Sequence, residues 1–384
     1  MRPVRILILS IGLAFLVPCA QAQWTPAKRL TWTSGRSSAP AVAADSSNHL
    51  HVVWQDDTPG NSEIYYKRSL DGGATWATNK RLTWSAGGSD DPAMVVDSSG
   101  GLHVVWHDDS SGNDEIYYKK STDGGAAWTT SRRLTWNSGG SFIPAIAVDP
   151  SNHLHVVWYD NTSGNLEIYC KRSVDGGATW TASQRITWTS GGSLGPAVAA
   201  DSSGRIHVVW YDDTPGSADI YYKRSTDGGT TWTTNQRLTR TSGWTASPAI
   251  AIGSSGHIQL VWVEDVSGVC EYDIFYKRST DGGANWTASQ RITWVSGSLG
   301  PPDVATYSSG RVHAVWGAST PGNDEIYYKK STDGGATWTT SERLTWTSGG
   351  SYIPAIAIDS SGHLHVVWHD ETPGNPEIYY KKWE

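Results

Sequence analysis

Cysteine is almost absent from this chain, with 3 residues among 384. Cys19 lies near the N-terminus, and Cys170 and Cys270 stand in dissimilar contexts, so no disulfide framework is expected. Phenylalanine and methionine are equally scarce, with 3 and 2 residues, and no stretch carries apolar residues at helical spacing. These absences argue against a helical bundle and a disulfide-stapled fold, so stability must come from a core of another kind.

Long hydrophobic runs are also missing, except at the N-terminus. There, two arginines precede an apolar run over residues 6–17, and small residues ending at Ala22 follow it. This order is typical of a secretory signal peptide, and the run is shorter than the about 20 residues that span a bilayer. We therefore expect residues 1–22 to be cleaved near Ala22, which makes the protein secreted or periplasmic without membrane insertion. A lipid-modified Cys19 is the alternative, but Pro18 stands where such signals have a small residue.

The predicted mature chain, residues 23–384, has no excess of basic residues. The full chain contains 30 Lys and Arg against 37 Asp and Glu, and loss of Arg2 and Arg5 leaves 28 against 37. Nucleic acid and anionic membrane surfaces are therefore not expected partners, because both select for positive charge.

Tryptophan, tyrosine and glycine are abundant instead, with 22, 17 and 41 residues. This mixture is typical of short aromatic strands separated by tight turns. The chain repeats every 52 residues, with one interval of 54, and an element of the form "HVVW" occurs once in each repeat. Its seven copies end at Trp54, Trp106, Trp158, Trp210, Trp262, Trp316 and Trp368. Such a period outweighs any domain count based on length.

Each repeat contains four predicted strands. In the third repeat these are "PAIAVD" from Pro144, "HLHVVWYD" from His153, "EIYCKRS" from Glu167 and "TWTASQRITW" from Thr179, with polar turns between them. The last strand ends in "RLTW" or "RITW", at Trp32, Trp84, Trp136, Trp188, Arg240, Trp294 and Trp346. Radial repetition of four-stranded antiparallel units predicts an all-β fold, a seven-bladed β-propeller.

The phase of the repeat predicts how the propeller closes. The mature chain begins with a fourth strand at residues 24–32 and ends with a third strand at residues 377–382. These half-units are complementary, so the N-terminal strand completes the last blade and removes an exposed sheet edge. One domain over residues 23–384 follows.

The turn between the third and fourth strands reads like "STDGGATW" from Ser331 in six repeats. Two glycines after an aspartate suit a tight hairpin, because glycine adopts positive φ at low cost and the carboxylate accepts N–H groups of its own turn. The pattern S-x-D-x-G-x-x-W resembles the Asp-box, or BNR repeat, of the sialidase superfamily. The resemblance implies a propeller whose boxes lie opposite the catalytic face. It also implies that the box aspartates are structural: Asp71, Asp123, Asp175, Asp227, Asp281 and Asp333.

Most of the catalytic residues that this resemblance implies are missing. Sialidases bind the substrate carboxylate with three arginines, whereas no predicted first strand here contains one. Outside the repeat pattern, Arg36 and Arg240 are expected on the face opposite the boxes, and two arginines do not make a triad. Glu264, Asp265 and Glu271, in a longer loop of the fifth repeat, are the candidates for hydrolytic carboxyl groups.

Histidine recurs at one position in six of the seven repeats, at His51, His103, His155, His207, His313 and His365. We interpret this position as packing between blades with one hydrogen bond to a neighbour. A ring of metal ligands is the alternative, but successive blades hold these side chains too far apart. Neither a metal nor a cofactor is therefore expected.

Aromatic and acidic positions opposite the boxes form the candidate ligand site. Its residues are Trp84, Trp136, Trp188, Trp244, Asp108, Asp160 and Asp212. Aromatic faces beside carboxylates suit sugars, which stack C–H groups on the ring and hydrogen-bond through hydroxyls. The alternative is structural, with the tryptophans in the core. A further acid before Ile in each repeat, such as Glu63, in that interpretation pairs with Lys and Arg of "YYKRS" or caps a turn.

The sequence therefore predicts a secreted binding module with a glycan or glycoconjugate as its partner. A sialidase-like glycoside hydrolase and a scaffold for protein assembly are the alternatives. The number of subunits is left open.

Overall fold

The computed structural model describes residues 23–214, 216–266, 271–294, 297–307, 310–319 and 322–384. The predicted signal peptide and Cys270 lie outside these ranges. The described residues form 28 strands in seven four-stranded antiparallel sheets, and they include no helix. The all-β, seven-bladed prediction is confirmed.

The first strands of neighbouring sheets contact one another, so they line the centre of the ring. They are β2 (Ser37–Ala44), β6 (Ser89–Val96), β10 (Ser141–Val148), β14 (Ser193–Ala200), β18 (Thr245–Ile252), β22 (Asp303–Thr306) and β26 (Ser351–Ile358). The second strands are β3 (Leu50–Asp56), β7 (Leu102–Asp108), β11 (Leu154–Asp160), β15 (Ile206–Asp212), β19 (Ile258–Asp265), β23 (Val312–Ser319) and β27 (Leu364–Asp370).

The third and fourth strands lead outward to the rim. The third strands are β4 (Glu63–Ser69), β8 (Glu115–Ser121), β12 (Glu167–Ser173), β16 (Asp219–Ser225), β20 (Tyr272–Ser279), β24 (Asp324–Ser331) and β28 (Glu377–Trp383). The fourth strands are β5 (Lys80–Arg81), β9 (Arg132–Arg133), β13 (Gln184–Arg185), β17 (Gln236–Arg237), β21 (Gln290–Arg291), β25 (Glu342–Arg343) and β1 (Lys28–Arg29). Blades are numbered 1 to 7, from β2–β5 to β26–β28 with β1.

The N-terminal strand closes the ring, as predicted. β1 pairs with β28 through Lys28↔Tyr380 and Arg29↔Tyr379. Trp24 makes an isolated bridge to Trp383. Its ring packs edge-on against Tyr328 of blade 6 at 5.1 Å, as the box tryptophans of other blades pack against their neighbours. Trp24 therefore serves as the tail of a seventh box that is divided between the two ends of the chain.

The core lies between blades. Between blades 1 and 2, for example, Val53 and Leu82 pack with Val104 and Trp106, all at most 1% exposed. Each second strand is covered on both faces by neighbouring blades, which explains why "HVVW" has no polar alternation.

Two predicted strand boundaries were wrong. The fourth strand of blade 3 was expected from Thr179 onward, but only Gln184–Arg185 join the ladder. The backbone hydrogen-bond ladder ends after Arg185 because the hydroxyl of Thr187, rather than a backbone carbonyl, accepts the N–H of Ile168 at 2.8 Å. The first strand was expected from Pro144, whereas β10 already begins at Ser141.

The earlier start of the first strand creates a bulge before its proline. In blade 3 the register shifts between Phe142 and Ala145, and Ile143 adopts a φ of 45°. Positive φ at the same position recurs at Ala39, Asp91, Gly195, Ser247 and Ile353. The bulge is therefore a feature of the repeat, and it re-aims the side chains at one end of the central strands.

An acid of the third strand pairs with an arginine of the fourth strand in every blade. In blade 1, Glu63 has no exposed surface and Arg81 Nη2 lies 2.7 Å from its Oε1. The pairs are Arg29–Glu377, Arg81–Glu63, Arg133–Glu115, Arg185–Glu167, Arg237–Asp219, Arg291–Asp273 and Arg343–Glu325. The interpretation that these acids pair with Lys and Arg of "YYKRS" was wrong, because each acid pairs with the fourth-strand arginine instead. The alternative that they cap turns holds in blade 1, where Glu63 Oε1 also accepts the N–H of Ser85 at 2.8 Å.

A buried lysine links each blade to the preceding one. Lys119 of blade 2 donates to the backbone carbonyl of Leu82 in blade 1. The equivalents are Lys67, Lys171, Lys223, Lys277, Lys329 and Lys381. Burial lowers the pKa of Lys119 from its ordinary value.

The box turns are held by their own serine and aspartate. Ser69 Oγ donates to Asp71 Oδ1 at 2.7 Å and accepts the N–H of Gly73 at 2.8 Å. Asp71 also accepts the N–H and hydroxyl of Thr75. Gly72 and Gly73 have φ of 64° and 91°, the left-handed region that favours glycine. These hydrogen bonds lower the pKa of Asp71 to about 2.

We expect Arg29→Met to destabilise the protein by about 2 to 3 kcal/mol, because it leaves the fully buried Glu377 carboxylate without its partner. Lys28→Met, on the neighbouring and more exposed side chain, is the control and should cost less than about 1 kcal/mol. Urea unfolding measures both. Equal losses for the two variants would show that the closing ion pair has no special role.

We expect the Asp71 carboxyl to titrate near pH 2, and Thr75→Ala to move its pKa upward by removing one donor. Because the folded pKa lies below the ordinary aspartate value of 3.8, the stabilisation is complete above that value and is lost as pH falls toward 2. Carboxyl carbon NMR follows the titration, with Thr78→Ala as the control. An unchanged Asp71 pKa in Thr75→Ala would contradict the hydrogen-bond assignment.

Candidate functional site

A ring of exposed tryptophans lies at the rim of the propeller, at the end of the fourth strand. In blade 1, Leu82 and Thr83 point inward, whereas Trp84 points outward and is 71% exposed. Its equivalents are between 66% and 70% exposed, and we call the set the rim tryptophans: Trp32, Trp84, Trp136, Trp188, Trp294 and Trp346. The expectation that strand-end tryptophans belong to the core does not hold for these six.

Two cations hold each rim tryptophan in place. The Arg81 guanidinium lies 5.5 Å from the centre of the Trp84 ring, and Lys119 Nζ of the next blade lies 5.7 Å away. Arg81 is itself fixed by Glu63, and Lys119 by the carbonyl of Leu82. The ring is therefore pre-positioned by cation–π contacts while most of its surface stays open.

A cleft of about 240 Å³ opens beside Trp84, between blades 1 and 2. Trp84 and the half-buried Tyr117 supply its aromatic surface, and Tyr117 stacks on the buried Trp106 at 6.0 Å. The hydroxyls of Ser85, Ser110 and Ser131 line the same cleft, together with Asp108. We call this the rim cleft. It combines a flat apolar surface with several hydroxyl groups.

The predicted carboxylates lie at the base of this region and are occupied by protein donors. Asp108 is 3% exposed and accepts the hydroxyl of Ser89 at 2.6 Å and that of Ser85 at 3.0 Å. Asp160 and Asp212 are fully buried and accept the serine hydroxyl of their own first strand at 2.7 and 2.6 Å. The structure thus brings Trp84 and Asp108 together, but the carboxylate orients serine hydroxyls rather than facing solvent.

Trp244 lies apart from the rim tryptophans. It belongs to the loop that enters blade 5, is 44% exposed, and has its ring 6.1 Å from Tyr211. Its carbonyl accepts the N–H of Asp265 at 2.8 Å.

The junction between blades 4 and 5 differs from the others. Arg240 occupies the rim tryptophan position and is exposed, and Phe275 occupies the position of Tyr117. Glu264 is 7% exposed and accepts the indole N–H of Trp262 at 2.9 Å, and burial raises its pKa. Both aromatic partners of the rim cleft are therefore changed at the same junction.

The other catalytic candidates are dispersed. Asp265 is buried, and Glu271 is exposed. Arg36 lies at the entrance to blade 1, and its backbone N–H donates to Asp57 Oδ1 at 2.6 Å. It lines a different cleft, together with Asp57 and Asp90. Arg36 thus belongs to the entrance of a different blade from the carboxyl groups of blade 5.

The recurring histidines are buried and hydrogen-bonded within their own blade. In blade 2, His103 Nδ1 lies 2.7 Å from the Tyr118 hydroxyl, and Nε2 lies 3.0 Å from Asp97. Within the described ranges no group of three or more His, Cys, Asp or Glu side chains is arranged to hold a metal. Nor does any helix among those residues have the length and hydrophobicity to cross a membrane.

Sequence reasoning missed Tyr117 as a wall of the rim cleft. The signal was available, since Phe275 replaces this tyrosine in the same junction where Arg240 replaces the tryptophan. The serine hydroxyls were not predictable, because they come from loops of two blades.

Family models for BNR repeats match two overlapping parts of the chain. The BNR repeat-like domain matches residues 192–373, and the BNR repeat-containing family member matches residues 90–248. No curated protein matches the sequence significantly.

Several solved structures share the fold. One is a protein of unknown function from Dyadobacter fermentans, with 15% identity over 93% of this chain and 99% of that one and a TM-score of 0.60. Another is a polysaccharide lyase, the PL25 ulvan lyase bound to -[GlcA(1-4)Rha3S]-, with 10% identity over 92% and 95% and a TM-score of 0.67. A third is the intramolecular trans-sialidase from Ruminococcus gnavus, with 13% identity over 93% and 97% and a TM-score of 0.51.

Proposed function

Because the chain is a seven-bladed β-propeller of BNR repeats, a fold that it shares with enzymes acting on glycans, we propose that it is an exported glycan-binding module. The observation that carries the proposal is the rim cleft, in which Trp84, Tyr117 and three serine hydroxyls meet between two blades. Export is supported by the signal-like residues 1–22.

The chemistry of the rim cleft suits a sugar ring. The open face of Trp84 offers a flat apolar surface for the C–H groups of a pyranose, and its orientation is held by Arg81 and Lys119. Asp108 accepts the hydroxyl protons of Ser85 and Ser110, so the two serine oxygens are held in place to accept hydrogen bonds from sugar hydroxyls. Little side-chain freedom has to be lost on binding, because these groups are already fixed.

The same elements recur around the rim. Five junctions combine a rim tryptophan with the tyrosine and the aspartate: Trp32 with Tyr65 and Asp56, Trp84 with Tyr117 and Asp108, Trp136 with Tyr169 and Asp160, Trp188 with Tyr221 and Asp212, and Trp346 with Tyr379 and Asp370. At the Trp294 junction Ala318 replaces the aspartate. Repeated weak sites on one rigid ring favour a repetitive glycan, because linked contacts multiply apparent affinity.

A glycoside hydrolase is the competing function. It requires two carboxyl groups on either side of a glycosidic bond. The burial that raises the pKa of Glu264 makes it the best candidate for a general acid. Hydrolysis of a fluorogenic sialoside by the wild-type protein, lost in Glu264→Gln, would replace the binding proposal.

We expect the mature protein to bind a set of oligosaccharides on a glycan array, and Trp84→Ala to weaken that binding by less than about tenfold. Replacing Trp84, Trp136 and Trp188 together by Ala should weaken it by on the order of a hundredfold, because several linked sites are lost. All three side chains are largely exposed, so the thermal midpoint should change little.

Leu70→Ala and Val174→Ala are the matched controls, since both side chains are 58% exposed on the box face. They should leave glycan binding unchanged. A clean array with no bound glycan, or equal binding by the triple variant and the wild type, would contradict the proposal.

A further inference from the structure

Six blades fill the inter-blade groove on the box side with a tyrosine of the third strand. Tyr66 packs edge-on against Trp128 of the next blade at 5.0 Å, and its hydroxyl lies 2.8 Å from His51 Nδ1. The ring sits so close to Gly125 that a Cβ there would be 2.0 Å from the Tyr66 hydroxyl. The six members are Tyr66, Tyr118, Tyr222, Tyr276, Tyr328 and Tyr380, and we call them the groove tyrosines.

Blade 3 has Cys170 at this position, and a cavity takes the place of the phenol ring. The cavity has a volume of about 300 Å³ and lies between blades 3 and 4. Val157, Ile206 and Trp232 give it apolar walls, and His155 and Gln184 add polar groups. We call it the Cys170 cavity.

The neighbours of the missing ring keep their usual places. Trp232 is the box tryptophan of the fourth turn, and its counterparts Trp128 and Trp286 each pack against a groove tyrosine. A Cβ on Gly229 would find its nearest neighbour, His155 Nδ1, at 3.6 Å, instead of a tyrosine hydroxyl at about 2 Å. The surrounding structure has therefore not collapsed into the space.

His155 is left with one free ring nitrogen. It is 4% exposed, and its Nε2 lies 3.2 Å from Asp149. Among the described residues Nδ1 has no hydrogen-bond partner, whereas the same atom of His103 meets the Tyr118 hydroxyl at 2.7 Å. This nitrogen faces the cavity, so a ligand that places a hydroxyl beside it gains a hydrogen bond there.

The cavity can be reached from solvent. Exposed residues Thr181, Ser183 and Thr230 line its edge, and Gln184 Nε2 donates to the carbonyl of Thr230 at 3.2 Å across it. Cys170 itself is 8% exposed, and burial raises the pKa of its thiol to about 12, so the thiol brings no negative charge to the wall.

We propose that the Cys170 cavity is a binding site for a para-substituted phenol, whose ring takes the place of the missing groove tyrosine. The ring edge faces Trp232, and the hydroxyl hydrogen-bonds to Nδ1 of His155. The other six junctions hold a tyrosine of the protein at this position, so the stoichiometry is one ligand per chain. The site is on the box side, separate from the rim clefts, and does not depend on glycan binding.

The probe is p-cresol, which reproduces the tyrosine side chain beyond Cβ. We expect calorimetric titration to give one site on the wild-type protein and none on Cys170→Tyr or Cys170→Phe, which fill the cavity. Tyr118→Cys makes the same change at the preceding junction, beside His103 and Trp180, and should give two sites. Toluene, which lacks the hydroxyl, should bind on the order of fivefold to tenfold more weakly.

A second arm distinguishes the source of the phenol. Binding of N-acetyltyrosinamide as well as p-cresol would support the site and indicate a tyrosine side chain of a partner, whereas binding of p-cresol alone would support it with a free small phenol. Absence of p-cresol binding, or equal binding by wild type and Cys170→Phe, would overturn the proposal. Because the Cys170→Phe comparison needs no new cavity, the test holds even if Tyr118→Cys fails to fold.

Discussion

The buried ion pair between the third and fourth strands is the interaction on which the rest of this propeller depends. It joins the short fourth strand to its blade, and in blade 7 the pair Arg29–Glu377 attaches the N-terminal segment to the C-terminal strand. The same arginine then packs on the rim tryptophan that follows it. Fold closure and the orientation of the candidate ligand surface therefore share one physical cause.

Contacts between blades decide where the surface is filled and where it is open. On the box side, six groove tyrosines fill the grooves between blades. In blade 3, Cys170 replaces this tyrosine and leaves a cavity. On the opposite side, a buried lysine ties each blade to the preceding carbonyl but leaves the tryptophan beside it exposed. A ring of near-identical blades thus presents a recurring exposed tryptophan at its rim and one unequal cavity in its grooves.

The fold could be predicted in detail from the repeat, because its period, its turn residues and its phase all describe local units that are copied. The strand boundaries were less predictable. A threonine hydroxyl replaces a ladder hydrogen bond in the fourth strand, and a residue with positive φ precedes the proline of the first strand. Neither effect leaves a distinct mark in hydrophobic patterning. For the candidate site, the sequence allowed aromatic and acidic positions to be named, but which of them face solvent depended on burial between blades.

The sequence by itself determined the number of blades, the strands within each blade, the box turns and the closure by the N-terminal strand, since all of these follow from spacing along the chain. Only the tertiary structure decided that Trp84 is exposed while Asp108 is buried, and that Tyr117 faces the same cleft. It also decided that Cys170 opens a cavity beside an unpartnered His155 nitrogen within the described residues. These features arise between blades, where residues about one repeat apart or more meet, and no local pattern specifies which of them reach solvent.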